Sequence, residues 1–220
     1  MRVMADAPTG TGFHYELTGG RLCLDFVNTV SGDRSADPRE RMAAYADLVA
    51  WSRQAGAVDA DHARRLLAQA RRRPADAEAV HREALALREA LYRLFTAVAE
   101  GRDPAAPDLA LLSDHLARAL SHRRIERAGR ACCALAWSDA PGALDAPLWR
   151  VASSAADLLT SESELRRVRV CGLHETHECS WIFMDQTRAG TRRWCSMKDC
   201  GNKAKARRHY ERTRGGEGPG

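Results

Sequence analysis

Cys171-Gly-Leu-His-Glu-Thr-His-Glu-Cys179 and, a short way downstream, Cys195-Ser-Met-Lys-Asp-Cys200 place four of the chain's seven cysteines within 30 residues. An odd total with a tight cluster points to a metal rather than to disulfides. Zinc takes four soft or borderline ligands in a tetrahedron, and an all-cysteine set fills every position, leaving none for a catalytic water. The implied site is therefore structural and holds one Zn2+. Cys179, Cys195 and Cys200 are the plain ligands; Cys171 is the preferred fourth, and His174, inside the long spacer, is its alternative. Between the pairs, residues 180–185 alternate as a strand, 188–191 contain a Gly turn and 192–194 return. That predicts a knuckle, a hairpin and a helix start, a treble-clef-like finger over residues 166–214. Trp181, Phe183 and Trp194 are expected to wall the metal from water, since a finger of this size has little other core.

Charge sharpens this picture. Residues 186–214 hold ten Lys and Arg against Asp199 and Glu211, a local +8 that leaves −3 for the remainder of a chain of net +5. All the lysines, Lys198, Lys203 and Lys205, lie in this stretch. Such a local field is a signal of partner binding. A helix over 201–214 would carry Lys203, Arg207, Tyr210 and Arg214 on one face and Lys205, Arg208 and Arg212 on the other. It is too short to persist alone, and a metal at its first turn would nucleate it. Phosphate contact is the physical use of such a helix, with Arg192, Arg193, Lys198, Lys203, Lys205, Arg207, Arg208 and Arg212 as the candidate nucleic-acid contacts.

Upstream, 45% hydrophobic content suffices for a core without disulfides. The first dozen residues read as a flexible lead-in, 13–17 as a short strand, and 22–30 as a strand end running into a helix. Helices are expected from Asp37-Pro38 to about Gly56, from Asp61, from Pro74 to Gly101, along Leu109, Leu112, Leu116 and Leu120, and after Asp145-Ala146-Pro147. A small hairpin is expected over 124–137. The longest helix carries an apolar stripe, Val80, Ala84, Leu87, Leu91, Leu94 and Val98, that reads as core and is also the candidate seam of a homodimer. Cys23, Cys132 and Cys133 are expected to be buried as small hydrophobes. The fold class is thus mainly α with small β elements: a helical domain over 1–165, the finger over 166–214, and a disordered Gly-rich tail over 215–220. No signal peptide opens the sequence and no apolar run reaches the roughly 18 residues of a membrane span, so a cytoplasmic protein is expected.

The segments Cys179-Ser-Trp-Ile-Phe-Met-Asp185, Arg192-Arg-Trp-Cys-Ser-Met197, Cys200-Gly-Asn-Lys203 and Lys205-Ala-Arg-Arg208 closely resemble the CGNR zinc finger of bacterial proteins. Gly19-Gly-Arg-Leu-Cys-Leu-Asp-Phe-Val-Asn-Thr-Val30 resembles the opening of the ABATE domain that usually precedes it, so the resemblance spans nearly the whole chain. It implies a stress-induced transcription regulator whose finger contacts DNA. Two departures stand out: Lys203 occupies the position of the Arg in the family's name, and the spacer between Cys171 and Cys179 is longer than usual.

Asp25 and Asn28 are polar residues in an apolar segment and need partners. They are candidates either for lining a small-molecule effector pocket or for bonding to neighbouring backbone. No nucleophile-elbow, Walker or zincin pattern occurs, and His174-Glu-Thr-His177 lacks the i, i+4 spacing of a zincin helix, so an enzyme is not expected. RNA binding and a protein-interaction adaptor are the rival readings, because a basic finger alone does not separate DNA from RNA.

Overall fold

The computed structural model describes residues 13–138 and 142–215, so the lead-in and residues 216–220 of the Gly-rich tail lie outside the described residues. The elements are α1 (Leu22–Val27), β1 (Val30–Ser31), β2 (Arg39–Glu40), α2 (Tyr45–Gln54), α3 (Ala60–Arg72), α4 (Pro74–Ala99), α5 (Ala106–Ser121), β3 (Arg123–Gly129), β4 (Cys132–Trp137), α6 (Ala146–Thr160), α7 (Glu162–Leu165), β5 (Val168–Val170), β6 (Ile182–Met184), a π-helical turn (Met197–Gly201) and α8 (Asn202–Gly215). The protein is mainly helical with small β elements, and its strands pair antiparallel as β1-β2, β3-β4 and β5-β6. Among the described residues, no helix is long and apolar enough to cross a membrane.

α4 is the axis of the body. Proline in its first turn supplies a preset φ and lacks an N–H that would have no helical partner there. Its Ala84, Leu87, Leu91, Leu94 and Phe95 are fully buried, packed with α1, α2, α5 and α6 around Phe26 and Trp51, whose rings lie 5.1 Å apart. The stripe on α4 is therefore core within its own chain and is not available as a dimer seam. Arg88 on the same helix is buried; it donates to Glu40 at 2.6 and 2.8 Å and to Thr29 Oγ1 at 3.1 Å, which ties the β1-β2 loop to α4.

Several local expectations are corrected. Residues 13–17 form no strand, because the Gln54 side chain takes the place of a strand partner: its Oε1 accepts from the Tyr15 N–H at 2.9 Å and its amide donates to the Tyr15 carbonyl. In 22–30 the order is reversed, helix first and strand second. α1 buries Cys23, Leu24, Phe26 and Val27, so neither period is visible. α2 begins at Tyr45, not near Pro38: residues 39–40 pair with β1, and the Asp47 carboxylate reaches back to the Ala43 and Ala44 N–H groups, both at 3.0 Å. α5 buries Asp108, Leu112, His115 and Ala119 and leaves Leu109 and Leu120 exposed; Asp108 lies on the buried face, its carboxylate paired at 2.9 Å with the half-exposed Arg93. Cys23 is buried as expected, but Cys132 and Cys133 are exposed on a hairpin that projects from the body.

The finger does not hang from this body on a linker. β6 is buried on both sides, and the two-residue period of a strand divides its side chains between two cores. Ile182 and Met184 enter the helical core together with Val168 of β5, while Phe183 points the other way into a cluster with the four finger cysteines. Removing side chains of this size from water stabilises by roughly 1.5–3 kcal/mol each.

Candidate metal centre and nucleic-acid interface

The sequence around each cysteine holds its sulfur in place. The Cys171 N–H donates to the Trp181 carbonyl at 2.9 Å, extending the β5-β6 pairing to the start of the knuckle, and the Gly172 N–H donates to the Arg193 carbonyl at 2.7 Å. Cys195 precedes Ser196, whose hydroxyl bonds to the Asp199 carboxylate at 2.7 Å and accepts from the Asp199 N–H, starting the π-helical turn that carries Cys200. At Gly201 the Met197 side chain lies close over the backbone, where a Cβ would stand 2.9 Å from its sulfur unless that exposed, flexible chain moved aside. The hairpin return expected over 192–194 is not formed. β6 pairs instead with upstream β5, and 192–194 runs irregularly, held by the Asp185 carboxylate, which accepts from the Arg192 N–H at 2.9 Å and from Thr187 at 2.6 and 2.9 Å. Those Thr187 bonds keep the buried Asp185 carboxyl below the usual range.

The result is four buried sulfurs, from Cys171, Cys179, Cys195 and Cys200, all within 4.8 Å of one another. The Cys179 and Cys195 sulfurs lie 3.8 Å apart and those of Cys195 and Cys200 3.5 Å apart. Four sulfurs at about 2.3 Å from a tetrahedral zinc stand about 3.8 Å from one another, so the set fits the ion. The electrostatics agree. Hydrogen bonding inside the cluster lowers the Cys171 thiol, chiefly through Cys179, and raises those of Cys179 and Cys195, so the four sulfurs hold their protons as one linked group, as a shared metal site requires of its ligands. Phe183 is buried beside the sulfurs and Trp181 and Trp194 pack against them.

His174 is not in the cluster; its Nδ1 is buried without a hydrogen-bond partner. His177 turns away, with a φ of 55°, and its Nδ1 meets Asp33 Oδ2 at 2.6 Å. That contact is one of a row. Ser180 N–H donates to the Gly32 carbonyl at 3.1 Å and Ser180 Oγ accepts from the Arg34 N–H at 2.9 Å. Trp181 Nε1 donates to the Val30 carbonyl at 2.7 Å. Asn28 completes it: its amide donates to the Ile182 carbonyl at 2.8 Å and accepts from the Ile182 N–H at 3.0 Å, capping the open edge of β6. This seam between 28–34 and 177–182 was invisible in the sequence because nothing in a one-dimensional pattern pairs residues so far apart.

Asp25 and Asn28 do border a cleft of about 420 Å³, shared with Tyr15, Trp181, Asp199 and Lys203. Asn28 has its amide oxygen and one amide donor committed to β6, and Asp25 accepts from the Gly19 N–H at 2.8 Å, so both bond to backbone, the plainer of the two readings offered by the sequence.

The basic residues divide into two groups. Arg192 is half-buried: it donates to the Trp194 and Thr18 carbonyls at 3.0 and 3.3 Å and to that of Cys195, and it lies 4.3 Å over the Phe183 ring. It is a clamp of the metal core, not an exposed contact. Arg207 pairs with Glu178 at 2.7 Å, docking α8 on the knuckle. Arg193, Lys198, Lys203, Lys205, Arg208 and Arg212 are exposed and have no carboxylate partner among the described residues. Ala204 is the apolar anchor of α8, buried against the cysteine cluster, whereas Ala206 is exposed.

Comparison with known families gives two matches. The ABATE model, described as "putative stress-induced transcription regulator", matches residues 20–162, and the CGNR zinc finger model matches residues 167–213. No curated protein matches the chain. The matched finger and the four converging sulfurs together define a site for one structural Zn2+.

Proposed function

Because the chain belongs to the ABATE family and ends in a CGNR zinc finger, we propose that it is a transcription regulator that binds duplex DNA through the π-helical turn and α8. The observation that supports this most is the set of cations without a carboxylate partner among the described residues, Lys198, Lys203, Lys205, Arg208 and Arg212, on the π-helical turn and α8, whose first turn packs on the cysteine cluster through Ala204. Unpaired cations release counterions from DNA at no cost in broken ion pairs, and a helix is the shape that enters a major groove. Neither matched family is an enzyme family.

Duplex is favoured over single strands by composition. Single-strand platforms stack successive bases on several aromatic rings, and the described residues of α8 expose just two, His209 and Tyr210. Control by an effector belongs to the same proposal: an occupant of the cleft between Asp25 and Lys203 would touch the body and the finger at once.

Fluorescence anisotropy of zinc-loaded protein with a random duplex and with single-stranded RNA, each at two salt concentrations, tests the proposal. Duplex affinity that falls steeply with salt is expected. Tighter RNA binding would move the reading to an RNA-binding protein; no binding to either at low salt would move it to a protein-interaction adaptor.

A further inference from the structure

A second cleft, of about 430 Å³, opens where the base of the β3-β4 hairpin meets α6 and the residues that lead into α1. Neither the metal centre nor the candidate nucleic-acid contacts border it. Among the described residues, three guanidiniums line it, those of Arg21, Arg123 and Arg150, against the single carboxylate of Asp157.

Its platform is Trp137, the Cα partner of Arg123 across the hairpin. The Trp137 ring is half-buried and stacks 6.3 Å from the buried Trp149, which stacks in turn on His122 at 3.7 Å. The guanidinium carbons of Arg123 and Arg150 lie 4.5 and 5.8 Å from the centre of the Trp137 ring. Stacking on an indole orients a guanidinium without consuming its N–H donors.

Those donors are unspent. Other arginines of the body hold carboxylates: Arg34 pairs with Glu89, Arg88 with Glu40, Arg93 with Asp108 and Arg118 with Glu83. Arg21 is paired with Glu164. The guanidiniums of Arg123 and Arg150 make neither an ion pair nor a hydrogen bond among the described residues. Burial, and then the Arg123 charge, hold the Arg150 guanidinium below its ordinary value, with Asp59 opposing. Two cations gathered on one ring repel each other, and an anion between them would turn that repulsion into attraction.

α6 adds hydroxyls. Arg150, Ser153, Ser154 and Asp157 recur at helical spacing and form its side of the cleft. Ser52, Ser113 and Thr160 donate to carbonyls one turn back on their own helices. Ser153 and Ser154 make no such bond among the described residues, and Ser154 Oγ instead accepts from the Cys23 N–H at 3.2 Å, which leaves its proton for another acceptor.

We infer that this cleft is a binding site for a phosphate group, free or borne by a small molecule, separate from the cleft beside Asp25. Two guanidinium forks and two hydroxyls serve more than two oxygens and balance a double charge, which suits a phosphate dianion better than a carboxylate. Asp157 opposes a longer, more highly charged chain of phosphates and would accept from a hydroxyl on the rest of the ligand. The inference does not depend on nucleic-acid binding.

Isothermal titration calorimetry of the full, zinc-loaded chain with inorganic phosphate and with glycerol phosphate tests it, with acetate as the singly charged control. Saturable phosphate binding with a dissociation constant of about 1 mM or below is expected. Tighter binding of glycerol phosphate would assign an ester, and equal binding the free ion. Arg123→Gln and Arg150→Gln are each expected to weaken binding at least about tenfold by removing a charge-assisted fork, with the thermal melt unchanged. Lys203→Ala, on α8, is expected to leave it unaltered, which separates this site from the nucleic-acid surface. No phosphate binding up to about 10 mM, acetate binding as tight as phosphate, binding that survives both arginine substitutions, or binding that Lys203→Ala weakens equally would overturn the inference.

Discussion

Asn28→Ala isolates the joint between finger and body. The amide of Asn28 is buried and makes two bonds to the backbone of Ile182, at 2.8 and 3.0 Å. Alanine removes both and leaves a backbone N–H and a C=O in a site 5% exposed on the asparagine side. Each stranded group costs about 1–3 kcal/mol, and water entering the small gap recovers part, so a net loss of about 2–4 kcal/mol is expected. Asn28→Asp is expected to cost at least as much at neutral pH, since its carboxylate still accepts from the Ile182 N–H but opposes the Ile182 carbonyl. Urea unfolding at fixed zinc, with released metal followed by a chromophoric chelator, measures both the loss and its location. The finger should release zinc at lower urea in the variant. A change under about 0.5 kcal/mol would refute the clamp and return Asn28 to the role of a pocket residue.

Three further outcomes are expected. Cys171→Ser should lose zinc and the helicity of α8, while His174→Ala, outside the sulfur cluster, should keep one zinc per chain; metal analysis and circular dichroism distinguish them. Lys203→Ala should reduce the salt dependence of duplex binding by about one unit of slope without altering the melt, whereas Arg192→Ala should lower the melting temperature, because its guanidinium serves the Trp194 and Cys195 carbonyls. Burial pushes the Asp25 carboxyl up to about 6, opposed by the Gly19 N–H. A carboxyl raised in the folded state contributes stability that is complete below its unfolded pKa and lost as pH rises through the folded one, so Asp25→Asn should stabilise more at pH 8 than at pH 5, by about 1 kcal/mol after allowance for partial exposure, in paired urea titrations.

What was legible in the sequence was local. Metal spacing, proline at helix starts and the long stripe on α4 are signals carried within a few turns, and they predicted the four cysteines, α3, α4, α6 and the β3-β4 hairpin. The failures share a cause, since each depended on a partner far along the chain. Residues 13–17 look like a strand until Gln54 supplies their hydrogen bonds. Residues 192–194 look like the return of a hairpin until β5 takes their place beside β6. The leucines of α5 look like a core stripe, yet the helix faces the body with Asp108, Leu112, His115 and Ala119, and Asp108 is paired with Arg93 of α4. Cys132 and Cys133 were apolar by composition, and only the projection of the hairpin exposes them.

The shared strand also bears on how such a regulator would respond to a signal. Because Phe183 faces the metal cluster while Ile182 and Met184 face the helical core, β6 cannot shift for one without disturbing the other. Packed interiors have few intermediate arrangements, so the two cores are coupled through a rigid element rather than through a linker. Coupling of this kind is reciprocal: whatever a cleft occupant adds to the affinity for zinc, zinc adds to the affinity for the occupant. The same rigidity fixes the direction in which α8 leaves the body. A finger on a flexible tether would search for its site; one clamped by Asn28, Ser180, Trp181 and His177 presents its cations in a single orientation set by the helical domain.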